Sequence, residues 1–359
     1  VSSPQVLDGV KVLHFGHFDP DYSRNRIIAK ALRRAGATVR TVSQTGPFAS
    51  RAPQLLRTMH PSDADVVLVG FPGHADVPLA RLASFPHRTP VIFDAFFSLS
   101  ESAEDRGRTR PGTLAAWRYQ LEDRVACRFA TRTLLDTDAH ARYFAESVGV
   151  PWSRLRRVWV GADDEVIKPG PAPDDSVFRV FVYASFIPLH GLQHVVRAAH
   201  LIEQEHDDIR IDVVGGGDTE ADIRRLATEL DVRSVHFLGR RPYDDLAGMM
   251  AASHVCLGIF GTSGKAQRVI PNKVFDALAA ARAVITADTP AAREALTHAE
   301  TAWLCPPGDP RALADSILAL RSSEQTRIGI AGHGHELFRQ KFCLDAISAD
   351  IGPIVLEVL

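Results

Sequence analysis

The sequence predicts an α/β protein built from two doubly wound domains. Three observations carry that prediction. Apolar, β-branched runs alternate with segments of helical spacing along all 359 residues, as expected of βαβ units on mainly parallel sheets. The alternation stops once, at "IKPGPAPDDS" (Ile167 to Ser176), where three Pro, a Gly and two Asp crowd together, and then restarts. The length exceeds one ordinary core and suits two.

In chain order, "KVLHFG" (Lys11 to Gly16) reads as a short buried strand ending in Gly. "SRNRIIAKALRRAG" carries Ile27, Ile28, Ala31 and Leu32 at helical spacing, with Gly36 where a helix C-cap belongs. "TVRTV", "DVVLVGF", "PVIFDAF", "TRTLLDT" and "RRVWVGA" are further strands, and "LAAWRYQLEDRVACRFA" is the clearest helix among them. Past the Pro-rich stretch come the strands "FRVFVYA", "DIRIDVVG", "SVHFLG", "SHVCLGIF", "RAVITA" and "TAWLC". Helices such as "LQHVVRAAHLIEQ" and "EADIRRLATEL" fit between them. The expected division is a first domain over 1–166, a linker over 167–176, a second domain over 177–336, and a helical tail over 337–359. Two such domains usually hold a ligand in the cleft between them, at the C-terminal ends of their strands.

Bulk composition limits the partners. Hydrophobic residues at 45% and charged residues at 23% describe a folded chain. A net charge of -2 supplies no global field for nucleic acid or an acidic membrane, so any anion site must be local. The four cysteines are widely spaced without a CxxC pair, and three lie in apolar runs, which fits a reducing, cytoplasmic compartment. No leader pattern and no apolar run long enough to span a bilayer is visible. The fifteen His show no HExxH or other ligand spacing, so no metal is expected. Neither a GxSxG elbow nor P-loop spacing occurs, and no convergent pair of carboxylates stands out.

Three stretches suggest chemistry. In "VVGGGDTEADIRRL", Gly215, Gly216 and Gly217 end a strand and open a helix that Asp218 or Thr219 can cap; the same pattern also describes a plain tight turn. In "YASFIPLHGLQHVVRAA", Ser185 and His190 follow the first strand of the second domain, and His190 at a helix start can face a phosphate or simply cap the helix. In "GKAQRVIPNKVFDALAAARAVITADTP", Lys265, Arg268 and Lys273 bracket Pro271 and Asn272 at a helix start, with Val269 and Ile270 between. Cations there make a focused anion site, and Asp276 can accept from a ribose diol. The bland alternative is a solvated helix start with Lys273 paired to Asp276.

Five segments in order resemble the nucleotide-sugar half of retaining glycosyltransferases of family 4, the "group 1" transferases of the GT-B fold. They are "YASFIPLHGL", "VVGGGD", "VHFLGRRPYDDLAGMMAASHVCLG", "VIPNKVFDALAAARAVITADTPAARE" and "TAWLCPPGDPRALADSI". The first half resembles the acceptor domain more loosely, through "DPDYSRNRIIAKALRRAGATVR" and "PVIFDAFFSLSES", and the tail from about Leu337 resembles the segment that crosses back to the first domain. The resemblance implies two Rossmann-like domains facing each other across a cleft. It implies transfer of a hexose, with retention and without a metal, from a nucleoside-diphosphate sugar to an acceptor hydroxyl or amine. UDP is favoured, with GDP as the alternative. It puts Asp276 on the ribose, the backbone around Gly239, Arg240 and Arg241 on the base, and Gly215–Gly217 beside it.

The chain departs from the family pattern in three places. Asp276 replaces the usual Glu. Arg268 stands where the pattern has its first Glu. Ser185 and His190 stand where it has an Arg and a Lys on the diphosphate. We read Lys265, Arg268 and Lys273 as replacement cations that stabilise the leaving diphosphate. His190 and Asp94 complete the expected catalytic set. His17, Tyr22, Arg24, Asn25 and Ser98, at strand ends of the first domain, are expected to meet the acceptor; each reads equally well as a capped loop. The expected partners are the donor and a sugar, lipid-linked or natural-product acceptor, with a homodimer as one option. The first domain shows no long basic amphipathic helix for membrane docking, which tilts towards a soluble acceptor. Two further classes stay open: a nucleotide-binding pseudoenzyme or scaffold, which the Ser185 and His190 departures favour, and an epimerase or phosphorylase on the same fold.

Overall fold

The computed structural model describes residues 5–171, 173 and 177–359. The chain divides into one unit of Val1–Gly161 with Phe342–Leu359 and a second of Ala162–Lys341.

The first unit holds β1 (Lys11–Gly16), β2 (Thr38–Ser43), β3 (Val66–Val69), β4 (Val91–Phe96), β5 (Arg132–Leu135) and β6 (Leu155–Arg157). They form one parallel sheet in the order β2-β1-β3-β4-β5-β6. Its helices are α1 (Ser23–Arg34), α2 (Phe48–Thr58), α3 (Val77–Ser84), α4 (Leu99–Asp105), α5 (Leu114–Phe129) and α6 (Asp138–Tyr143). Every residue of β3 and β4 is buried, as parallel strands covered on both faces require. α1 stops as its spacing predicts. Gly36, at φ +101°, donates to Arg33, and Ala37 donates to Leu32, a Schellman closure that the absence of a Cβ at Gly36 allows.

The second unit repeats the plan with β7 (Phe178–Ala184), β8 (Ile209–Gly215), β9 (Val235–Phe237), β10 (Val255–Leu257), β11 (Ala283–Ala287) and β12 (Trp303–Cys305). They pair in parallel in the order β12-β11-β10-β7-β8-β9. Between them run α7 (Leu192–Glu203), α8 (Glu220–Glu229), α9 (Tyr243–Ala251), α10 (Asn272–Ala279) and α11 (Pro290–Ala295), and α12 (Pro310–Ser322) and α13 (Glu324–Lys341) follow β12. Among the described residues, no helix is long and apolar enough to cross a membrane.

Of the expected linker, Ala172 and Asp174–Ser176 lie outside the described residues. Its start is tied to the second unit: Arg282 donates to the carbonyls of Gly170 at 3.0 Å and Ala251 at 2.7 Å. The strand expected over "RRVWVGA" is shorter than its composition suggests. β6 ends at Arg157 because the carbonyls of Val158 and Trp159 turn to the Arg24 guanidinium, at 2.7 and 3.0 Å.

The chain returns to the first unit through α14 (Leu344–Leu356), which packs along α1 with Arg34 to Asp345 at 3.1 Å. Beyond it Arg132, at 2.8 Å, and Arg156 both donate to Glu357, holding its carboxyl down to about 2. Departure and return meet at Gly161. Its φ is +68°, and a Cβ there would lie 2.6 Å from the carbonyl oxygen of Phe342. Gly161→Ala therefore meets both strain and backbone. It should lower first-unit stability by more than about 1 kcal/mol in urea unfolding; an unchanged midpoint would show that the return segment yields freely.

Candidate functional site

In the second unit the sheet order reverses between β7 and β10, which makes the ends of those strands the switch point where ligands of open α/β sheets sit. The loops there are packed backbone to backbone. A Cβ on Gly215, at φ +129°, would lie 1.8 Å from the Ala184 carbonyl oxygen. Gly191, at φ +65°, touches the backbone of Phe260 and Gly261 in the same way. Hydrogen bonds complete the stitching. Phe186 N–H donates to Gly216, Gly215 N–H to Gly239, and Phe260 N–H to His190.

The glycine turn therefore brings several expected residues together. Ser185 and Gly217 are exposed beside it, Gly216 is buried, and Arg240 reaches back to the Gly216 carbonyl at 3.1 Å. Arg241 is exposed on the next position. His190 is buried to 9% exposure under the loop that follows β10. Thr219 occupies the N-cap of α8, but its side chain makes no capping bond.

The expected cations lie in the loop between β10 and α10 and in the first turn of α10. Lys265 is buried, Arg268 is half-buried, and Val269 and Ile270 are core residues. Lys273 is 5% exposed, and among the described residues its ammonium has no hydrogen-bond partner. It rests 5.7 Å from the Tyr183 ring centroid, and burial pulls its pKa down to about 7. It does not pair with Asp276. That carboxylate is fully buried and accepts from the hydroxyls of Tyr183 and, at 2.8 Å, Tyr243. Asp276 thereby ties the end of β7 and the start of α9 to α10. Both tyrosines were missed in the sequence, although Tyr183 is the one polar side chain in the strand "FRVFVYA" besides Arg179.

Several first-unit expectations are corrected. Arg24 and Asp94 form a buried bidentate ion pair, at 2.9 Å on each oxygen, with 0% and 1% of their side chains exposed. Neither has surface left for a sugar; the pair joins α1 to β4 and, through the Val158 and Trp159 carbonyls, to the end of β6. Asn25 clamps Phe71, donating to its carbonyl at 2.8 Å and accepting from its N–H at 3.1 Å. Ser98 caps α4 and donates to Asp123 at 2.6 Å. His14, beside these in sequence, is stacked on Phe18 at 4.1 Å, and burial lowers its pKa to about 3, so it is a neutral core residue. His17 stays half-buried, with Nδ1 3.1 Å from the Gln44 carbonyl. Tyr22 is 38% exposed and packs its ring towards Phe71 and Phe96. Among the described residues, no group of three or more His, Cys, Asp or Glu is placed to hold a metal ion.

This architecture, two Rossmann-like units with parallel six-stranded sheets, is the GT-B class of fold. It overlays on the crystal structure of HepE from Anabaena in complex with UDP-glucose with a TM-score of 0.75 at 18% identity, covering 97% of this chain and all of that one. Sucrose-phosphate synthase from Thermosynechococcus elongatus gives 0.74 at 16%, covering 97% and 98%. Residues 178–323, within the second unit, match the family described as glycosyl transferases group 1, the likeness that the motifs of this stretch carry. The chain is 31% identical over 156 residues to a phosphatidyl-myo-inositol mannosyltransferase of Mycobacterium leprae. It is 24% identical over 149 residues to the amylovoran biosynthesis glycosyltransferase AmsK of Erwinia amylovora. These matches span 43% and 41% of this chain, and 39% and 36% of those relatives.

The corrected role of Arg24 and Asp94 has a measurable consequence. Asp94→Leu alone leaves a guanidinium buried without its counter-charge and should cost about 3–5 kcal/mol in denaturant unfolding. Combining it with Arg24→Met should recover part of that loss. If the single variant is as stable as the parent, the pair is not what joins these elements.

Proposed function

We propose that the protein is a retaining glycosyltransferase that moves a hexose from a nucleoside-diphosphate sugar to an acceptor hydroxyl or amine. The observation that carries the reading is Lys273, a buried ammonium without a hydrogen-bond partner among the described residues, inside the stretch that matches the group 1 family and at the switch point of its sheet. A buried cation without a counter-charge is costly, and a diphosphate is the anion such a site takes. Lys265 and Arg268 lie in the same loop. With Lys273 they stabilise the charge that grows on the diphosphate as its bond to the sugar breaks. The sugar carbon bonds to the acceptor oxygen on the same face, and the acceptor proton passes to the leaving phosphate oxygen. Ser185, Gly215–Gly217, Arg240 and Arg241 cradle the nucleoside. Asp276 acts on the ribose through the hydroxyls of Tyr183 and Tyr243. UDP is the favoured nucleotide, since HepE is bound to UDP-glucose in its crystal structure. His17 and Tyr22 remain the first-unit candidates for the acceptor.

A second reading, a nucleotide-binding scaffold without transfer, is favoured by one observation: both oxygens of Asp276 are occupied by tyrosine hydroxyls. Product formation from a donor-sugar panel separates the two readings.

A thermal-shift screen against UDP, GDP, ADP and TDP, with and without Mg²⁺, tests donor binding; one nucleotide should raise the melting temperature independently of the metal. Because the diphosphate favours the charged form of Lys273, binding should take up a proton above pH 7. Affinity should then fall as pH rises from 7.5 to 9, by at most about tenfold per unit for one proton. Lys273→Met should bind more weakly at pH 7 and show a flat profile. No shift with any nucleotide would overturn the reading, and a steep profile in the Met variant would remove Lys273 from it.

A further inference from the structure

The outer face of α5 is composed the wrong way round for a helix whose only task is to cover a sheet. Its buried positions are Ala116, Asp123, Ala126 and Cys127, whereas Leu114 is 80%, Trp117 53% and Leu121 40% exposed. Arg124 and Arg128 continue the same exposed stripe, within a roughly 80° arc at about 100° per residue, over a helix about 24 Å long. At its C-terminal end the stripe runs into a concavity of about 610 Å³ shared with α3, where Leu82 is 66% and Phe85 70% exposed beside Arg81 and Arg154. Among the described residues, no carboxylate pairs with Arg81, Arg124, Arg128 or Arg154; Arg118 pairs with Glu122 at 3.4 Å, and Arg132, which lines the same concavity, pairs with Glu357 at 2.8 Å.

Contiguous large apolar side chains among unpaired arginines are the composition of a surface that lies in a bilayer interface, with Trp and Leu in the acyl boundary and the cations at anionic headgroups. A second copy of the chain does not complement it, because a two-fold contact through this face sets arginine against arginine. We propose that the α3–α5 face of the first unit is a peripheral docking surface for anionic lipid bilayers. The sequence led to the expectation of no long basic amphipathic helix in the first domain; on this proposal α5 serves instead, because its large apolar residues point away from the core.

The test is flotation of the full chain with vesicles of phosphatidylcholine alone and of phosphatidylcholine with phosphatidylglycerol. Binding should require phosphatidylglycerol and weaken with salt. Each cation near such a surface contributes about fivefold, from about 1 kcal/mol per basic residue at 1.4 kcal/mol per tenfold. Arg124→Glu with Arg128→Glu should therefore reduce vesicle affinity at least about 20-fold, and Leu114→Ser with Trp117→Ser about tenfold. Both pairs are exposed, so the unfolding midpoint and any nucleotide-induced shift should be kept. Equal binding to both vesicle types, no binding to either, or variants that lose self-association rather than vesicle binding would each overturn the proposal. The surface is built from the first unit alone and the donor site from the second, so it can fail while the transferase reading holds.

Discussion

The second unit depends on one steric fact. The carbonyl oxygen of Ala184 lies where residue 215 would carry its Cβ, 1.8 Å away. Only glycine lets β7 and β8 end side by side at this spacing, and that approach draws the turn of Gly215–Gly217 onto Phe186. Gly191 repeats the constraint against Phe260 and Gly261. Three strand ends thus share one small area without bulky side chains between them. Backbone N–H groups and the few polar side chains of these loops are left as the surface a ligand can meet. Glycine here acts by keeping loops close, which is why the run of three could be read in the sequence as either a turn or a cradle.

How legible the structure is in the sequence varies with what fixes each feature. Fully buried parallel strands need unbroken apolar runs, so "FRVFVYA" and "PVIFDAF" announce β7 and β4. Local sequence also stops α1, because Gly36 alone supplies the left-handed closure. The end of β6 is different: "RRVWVGA" is apolar enough to continue, but Arg24, more than 130 residues earlier, takes its carbonyls. No local pattern carries that information. The same distance hides the pairing of Asp276 with Tyr183, 93 residues away. Residue type and strand-end position point to Asp94, Arg24 and Ser98 as candidates for chemistry. They could not show that a guanidinium would lie within reach of Asp94, or that Ser98 would cap its own helix.

Two buried cations show what separates a structural group from a candidate binding group. Arg24 has a carboxylate on two of its nitrogens and two carbonyls on the third. Its charge is matched, and its donors are spent within the first unit. Lys273 is about as inaccessible, but among the described residues its ammonium has no hydrogen-bond partner and lies near the Tyr183 ring. Burial shifts its proton equilibrium towards neutrality, which is how a protein tolerates an ammonium it cannot solvate. A group poised near neutral pH changes charge with modest input, and an anion arriving at the mouth of α10 supplies that input. Burial alone gives the same prediction for the two residues; the count of partners separates them.

The composition of α5 needs an explanation outside folding. A helix on a parallel sheet gains stability by turning its apolar bulk inward, yet α5 turns alanines and a cysteine inward and keeps its leucines and tryptophan out. Small inward residues let the helix lie close on β4, so the sheet is satisfied without the large side chains. One exposed leucine would be unremarkable. A continuous apolar stripe edged by arginines without partner carboxylates is another matter, since it weakens solubility and contributes nothing to the core. Periodicity in the sequence reports that such a helix is two-sided but not which side faces the sheet. The small residues decide it, because only they fit against the strands at this spacing, and the larger side chains are left for whatever the outer face meets.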